Sequence, residues 1–398
     1  MPPLAPGETV LSSSARRGAA VLLSAAVLTT LSACGAAPEE KTAGATADGK
    51  AKVQPGAATS VADLGGMEAL VAAAEKEGQL NVIALPPDWA NYGEIVKAFQ
   101  AKYPKIKINS ENPDAASADE IAAVKSRKGQ KRAPDVLDLG IAFARSGATE
   151  NLFAPYKVTA WAKIPDAQKD ADGRWYNDYG GYVSIGCDAA RIPNCPQTFA
   201  DLLKPEYKGK VALNGNPTKS GSAFGGVYAA ALANKGSFAD VQPGIDFFGR
   251  LKKSGNFIPV ESTPATVEKG ETPISIDWDY LNAGYADQFK GKGVDWKVAV
   301  PTDGVYAQYY SQAINKEAPN PAAARLWMEF LYSAEGQNLW LKGYARPVLL
   351  PGMTQDGTAD KEAVAKLPKV EGTPAFPASE QLDQAKATLA EKWDKAVS

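Results

Sequence analysis

Residues 304–337, GVYAQYYSQAINKEAPNPAAARLWMEFLYSAEGQ, decide the fold. Val305 to Ile314 is rich in Tyr and Val and reads as a strand. The chain then turns at Ala318 and Pro319. Asn320 stands where a helix N-cap belongs, and Pro321 where the first helical residue belongs. Ala323, Leu326, Trp327, Phe330 and Leu331 recur on one helical face. Ser333 can cap a second helix, with Glu335 in its first turn, where negative charge is favoured.

The same alternation recurs upstream. Met67, Leu70, Val71 and Ala74 mark a helix that stops at Gly78, and Leu80 to Leu85 reads as a strand. Ile95, Val96, Phe99 and Tyr103 form the next helical face, closed by Pro104. Ile106 and Ile108 alternate with lysines in a second strand. A helix near 118–125 precedes a third strand, Pro134 to Gly140. Strand–helix–strand alternation argues a parallel, doubly wound sheet. Near the end, Leu382, Ala385, Leu389 and Trp393 space an amphipathic helix.

Three groups of these residues resemble one family. Ile314-Asn315, Ala318-Pro319 and Ser333-Ala334-Glu335-Gly336-Gln337 are similar to a lobe crossing in the bacterial solute-binding proteins of ABC importers, the type 2 periplasmic-binding fold. Residues 173–185, GRWYNDYGGYVSI, resemble the other crossing, where Gly180 and Gly181 supply backbone freedom that a hinge can use. Residues 198–213, TFADLLKPEYKGKVAL, resemble the entry to the second lobe, and Pro134-Asp135-Val136 matches the family's third strand. The resemblance spans roughly residues 80–345. It implies two doubly wound α/β lobes around a hinged ligand cleft. The first lobe would take 63–180 with 312–337, and the second 184–307 with 340–398. The crossings would fall near Tyr179–Ile185 and Gln308–Gln312, with a third after Gln337.

Composition narrows the function. The chain has 398 residues, enough for two lobes, with 45% hydrophobic and 22% charged residues. A net charge of −2 gives no case for a nucleic-acid partner. The absence of histidine removes imidazole bases, Ser-His-Asp triads and histidine metal ligands together. Cys34, Cys187 and Cys195 are too few for a four-cysteine zinc site, so neither a metal nor a cofactor is expected.

Residues 1–33 read as a signal peptide, with Arg16 and Arg17 before an apolar core from Gly18 to Leu31 that is too short to span a membrane. Leu31-Ser32-Ala33-Cys34 resembles the bacterial lipobox, which implies lipid on Cys34 and an extracytoplasmic protein anchored to the cell membrane. Arg16-Arg17 leaves a twin-arginine signal open beside general secretion. Residues 34–62 hold almost no large apolar residue and are expected to form a flexible tether. In an oxidising compartment Cys187 and Cys195 are expected to pair; two unpaired thiols are the alternative.

Ligands of open α/β sheets sit beyond the carboxyl ends of the strands. Trp89 and Tyr92 follow the first strand, and their rings can stack on a ligand or face a cation. Asp138 lies near the carboxyl end of the third strand and Tyr179 stands at the first crossing. Ser220 and Ser222 open a helix, a seat for an anion or an ordinary cap. Asp277, Trp278 and Asp279 place two carboxylates about an indole, which suits an ammonium group; Asp279 alone could cap the next helix. At the second crossing, alternation sends one of Tyr309 and Tyr310 to the cleft, and Tyr309 is the candidate.

These residues are expected to hold a small solute that a monomeric, non-catalytic receptor delivers to an ABC permease. A polyamine fits the carboxylates and aromatics. The polar loop 214–222 fits an aminoalkylphosphonate, and ferric iron is a further alternative. An exported enzyme on the same scaffold is the competing class, although no recognised catalytic motif is present. A sensor for a membrane partner would share every feature of the receptor.

Overall fold

The computed structural model describes residues 53–371 and 376–398. The expected signal peptide, Cys34 and the start of the expected tether lie outside these residues. The end of the tether lies inside them, and it is docked rather than loose. Arg325 is 1% exposed. Its guanidinium donates to the carbonyls of Ala58 (2.9 Å) and Gly56 (3.1 Å). Thr59 O accepts from Lys157 N–H at 2.7 Å, and Leu64 is buried. Composition misses this because the segment brings little apolar surface of its own. Its carbonyls are ordered by a buried cation far along the chain.

The first lobe begins with α1 (Met67–Glu77), which ends at Gly78 in the left-handed region with φ 72°. β1 (Gln79–Ile83), α2 (Tyr92–Lys102) and β2 (Lys107–Glu111) follow, with β1 and β2 parallel. After α3 (Ser117–Ser126), β3 (Val136–Gly140) joins β1 through Asp135 and Asn81: Asp135 N–H donates to Asn81 O at 2.9 Å, and Asp135 Oδ2 accepts Asn81 N–H at 2.6 Å. α4 (Ile141–Thr149) and β4 (Phe153–Ala154) complete the lobe's first pass.

β5 (Tyr176–Asp188) is the strand that joins the lobes. Its 13 residues span about 40 Å at the rise of a strand. In the second lobe stand β6 (Val211–Leu213), α5 (Gly221–Ala233), α6 (Gln242–Ser254), α7 (Pro264–Lys269), β7 (Ile274–Trp278), α8 (Asp279–Gln288) and β8 (Trp296–Ala299). β9 (Ala307–Asn315) returns to the first lobe. The early half of β5 pairs with β9, from Tyr176 opposite Gln312 to Tyr182 opposite Ala307. The later half pairs with β7 and β8, beginning at Val183 opposite Trp278. The strand changes partners between Tyr182 and Val183. The β1–β2 and β6–β7 pairs are parallel, whereas the crossing strands run antiparallel to their neighbours. A chain that crosses and then returns must reverse direction, so the fully parallel sheet expected from the alternation is a mixed one.

α9 (Pro321–Leu331) buries Ala323, Leu326, Trp327, Phe330 and Leu331. Asn320 is its N-cap residue, but its side chain turns to Asp135 (2.9 Å). The free N–H groups of Ala322 and Ala323 are taken by Glu77 of α1, at 3.0 and 2.8 Å. α10 (Ala334–Lys342) is capped by Ser333, whose Oγ accepts from Gly336 N–H at 3.1 Å.

The C-terminal part divides between the lobes. β10 (Arg346–Pro347) pairs with Tyr179 and Gly180, in the half of β5 that belongs with β9. α11 (Leu350–Asp356) and α12 (Lys361–Lys366) follow. α13 (Ser379–Val397) sets Trp393 against Phe248 of α6 at 5.4 Å. Residues 340–398 therefore do not stay together in the second lobe, because Arg346 and Pro347 complete the first lobe's sheet. Cys187 and Cys195 form a disulfide, with their Cα atoms 5.8 Å apart.

Candidate functional site

The loop after β1 is held in an unusual backbone. Ala84, Ala90 and Asn91 all have positive φ, at 57°, 44° and 71°. That path carries Trp89 back over the sheet. Its Nε1–H donates to Tyr179 Oη at 2.7 Å, and Tyr179 Oη donates to Asp138 Oδ2 at 2.7 Å. The Trp89 ring stands edge-on to Tyr280 of α8 (6.1 Å) and to Tyr310 of β9 (5.6 Å), so one indole touches both lobes.

Beside it lies a cavity of about 640 Å³ between the strand ends. Asp88, Asp114, Asp119, Glu120 and Asp138 line its first-lobe side. Asn216, Lys219, Ser220, Glu261, Thr263 and Tyr285 line the other, and Tyr310 rises from the crossing strand. Lys219 is the one cationic side chain among these described residues. Ser220 caps α5: its Oγ accepts from Ala223 N–H at 3.3 Å and donates to Asn214 O at 2.8 Å. Removal of water raises the pKa of both Asp88 and Glu261, and the charge of Asp114 pushes each further the same way.

Of the residues chosen from sequence, Trp89, Asp138 and Ser220 stand on the cavity wall. The others lie behind it. Tyr92 is buried and its hydroxyl accepts from Gln312 Nε2 at 3.0 Å. Tyr179 is buried between Trp89 and Asp138. Asp277 is 1% exposed, bonded by the Ser222 hydroxyl and by Asn214 Nδ2 (2.8 Å). Burial pushes its pKa up to about 6, against the lowering effect of those bonds. It thus braces the loop that carries Ser220. Trp278 is wholly buried, with a stacked contact to Tyr280. Asp279 pairs with Arg346 at 2.5 Å and accepts the Tyr182 N–H at 2.9 Å, so it ties α8 to β5 and β10 and is absent from the cavity wall. Tyr310 faces the cavity, and Tyr309 packs on the opposite side near Phe376 (6.0 Å). The alternation was legible, but the choice between its two phases was not.

Asp88, Asp114, Glu261, Tyr285 and Tyr310 are cavity residues that the sequence reading passed over. Asp114 had a usable signal, since it follows β2 directly, where ligands of such sheets are met. Glu261 had none, because no strand pattern precedes it.

Residues 131–370 match the family model described as bacterial extracellular solute-binding protein. The chain belongs to that family. A probable ABC transporter periplasmic-binding protein of Sinorhizobium fredii is 23% identical to this solute-binding protein over 227 residues, which cover 55% of this chain and 61% of the relative. The match thus takes in less than two thirds of that relative. Two solved structures share the fold. The fructose-6-phosphate-bound periplasmic binding protein AfuA of Actinobacillus pleuropneumoniae has a TM-score of 0.64 and 20% identity, covering 80% of this chain and 98% of its own. Iron-bound HitA of Pseudomonas aeruginosa has a TM-score of 0.57 and 20% identity, covering 80% and 99%. Two ligands so unlike on one scaffold show that the fold does not select the solute. Among the described residues, no helix is long and apolar enough to cross a membrane.

Proposed function

We propose that this solute-binding protein is the extracytoplasmic receptor of an ABC importer, closing on a small cationic solute and passing it to a permease without chemistry of its own. The observation that carries the cationic reading is the charge of the cavity. Six carboxyl groups face it against the single amine of Lys219. Asp114 stands in the field of both Asp88 and Glu261, and no ion pair engages the three among the described residues. Confined like charges raise the free energy of the empty site, and a cation relieves it. Trp89, Tyr285 and Tyr310 add aromatic surface suited to an ammonium ligand. A polyamine is therefore the first candidate. An aminoalkylphosphonate-like zwitterion is the second, supported by Lys219 and Ser220 at the N-terminus of α5, where an anion is favoured.

A thermal-shift panel of putrescine, spermidine, 2-aminoethylphosphonate, ferric citrate and simple sugars tests this, since a ligand that binds only the native state raises the melting point. The amines are expected to stabilise the protein. Asp114→Asn and Glu261→Gln should each weaken the amine about tenfold to a hundredfold, the range for losing a charge-assisted contact. Stabilisation by sugars alone, with both variants inert, ends the cationic reading.

The anchor is proposed on the lipobox of residues 31–34. Cys34→Ala is expected to abolish labelling by a fatty-acid probe and release the protein from membranes. Membrane partition unchanged from wild type would show that Cys34 is not the anchor.

A further inference from the structure

Beneath the cavity three carboxyl groups stand together without a cation. Glu120, Asp138 and Asp178 are all buried. Glu120 Oε2 accepts the Asp138 N–H at 2.9 Å. Gln312 Nε2 lies between Asp138 Oδ1 (3.3 Å) and Asp178 Oδ2 (2.9 Å). Asp178 Oδ1 also accepts the Tyr179 N–H at 2.8 Å. Asp138 and Glu120 reach the cavity surface, while Asp178 lies behind them.

Lys219 stands on the same cavity's wall, but among the described residues the groups whose charge acts most on this set are acids and phenols. α2 contributes Tyr92, and α3 contributes Glu120 with Asp119 beside it. β5 contributes Asp178 and Tyr179, and β9 contributes Tyr310. Tyr280 of α8 and Tyr332 beyond α9 complete the surroundings. Neither Lys nor Arg figures among the interactions of the three carboxyls. Three buried like charges this close cannot all be ionised. Burial is the main cause and lifts Asp138 to about 7. Burial first, and then the charge of Asp138, lifts Asp178 and Glu120 further.

Asp138 and Glu120 stand on the cavity wall, and Tyr280 lies behind it beside the same set. Tyr280 Oη belongs to a side chain 1% exposed, and it has no hydrogen-bond partner among the described residues. Its ring is edge-on to Trp89 (6.1 Å) and Tyr179 (5.7 Å), the two residues that reach Asp138, and Asp138 lies within its electrostatic reach.

We propose that Asp138 is the docking carboxylate for a second cationic group of the solute, whose charge replaces a proton held within the Glu120–Asp138–Asp178 set. The proposal rests on the cationic reading above and narrows it to dications. The exchange balances: the protonated acid gives its proton to solvent, and the ammonium group takes its place opposite the carboxylate. Below the pH at which Asp138 ionises, protons compete with the solute. Affinity should then fall about tenfold for each pH unit below about 7 and level off above it.

The test is calorimetry of the mature wild-type protein with putrescine at pH 6 and pH 8.5. Each pH uses two buffers of different ionisation enthalpy. At pH 6 nearly one proton should be released per putrescine bound, and at pH 8.5 almost none. Asp138→Asn should abolish the release at pH 6 and weaken binding at pH 8.5 by tenfold or more. Without ligand, the fluorescence of wild type should titrate near pH 7 through the Trp89–Tyr179–Asp138 chain, and Asp138→Asn should not. Putrescine that binds with equal affinity and equal heats throughout overturns the proton exchange but leaves the cationic reading intact. Proton release that survives in Asp138→Asn overturns the role of that residue. Binding of neither putrescine nor spermidine at either pH overturns both readings.

Discussion

Arg325→Met should destabilise the protein by about 3–5 kcal/mol, chiefly the loss of the two hydrogen bonds that this buried charged donor makes to the segment 54–64. The aliphatic part of the side chain is preserved by methionine, so the change isolates the guanidinium. That group donates to Ala58 O, Gly56 O and, at 3.0 Å, Pro321 O, and it lies over the Tyr156 ring at 5.3 Å. The variant leaves these carbonyls without a partner and frees the segment 54–64 from α9. Denaturant unfolding should show a lower midpoint with an unchanged slope, and limited proteolysis should cut the segment rapidly while the body stays intact. A variant with the wild-type midpoint and an uncut segment would mean that something other than Arg325 holds it.

Gly181→Ala should cost about 3–4 kcal/mol and disturb ligand closure as well. The φ angle of Gly181 is not positive, so backbone freedom is not the reason for glycine there. Space is the reason. A Cβ would stand 2.3 Å from Asp279 Oδ1 and 2.6 Å from Tyr280 Cδ1. Asp279 cannot move aside freely, because it holds the Tyr182 N–H and Arg346. Overpacking alone typically costs about 1–3 kcal/mol. Losing the charge-assisted bond at Tyr182 adds about 1.5 kcal/mol or more. The expected readout is a lower unfolding midpoint together with altered solute affinity. A fully stable variant with wild-type affinity would mean that the crossing has slack.

Arg325 and Gly181 also show where reading the chain succeeds and where it stops. Gly181 stands in a stretch that the sequence reads as a crossing, and Arg325 in a helix that it reads from periodicity. The partners that explain them, Ala58 and Asp279, lie 267 and 98 positions away along the chain. Periodicity carries no information about such pairs. The cavity shows the same limit. Asp277 and Trp278 end a strand, which made them reasonable ligand residues, but the short loop 214–222 folds over them and puts its own Asn216, Lys219 and Ser220 in front. Asp114, in a loop that the same strand-end rule covers, became a wall residue because nothing covers it.

By itself the sequence determined the alternation of strands and helices, the two crossing segments, the cap at Ser333, and membership of the solute-binding family. These depend on local rules: spacing sets which face of an element is apolar, and short polar residues satisfy helix ends. Tertiary structure alone decided three matters. It chose Tyr310 over Tyr309 for the cavity, since alternation has two phases and only the packed sheet selects one. It sent Asp279 to Arg346, because a buried charge goes to whichever counter-charge the fold brings within reach. It also gathered Glu120, Asp138 and Asp178 around Gln312. Each of those carboxylates is unremarkable in its own segment, and their shared proton arises only from being buried together without a cation.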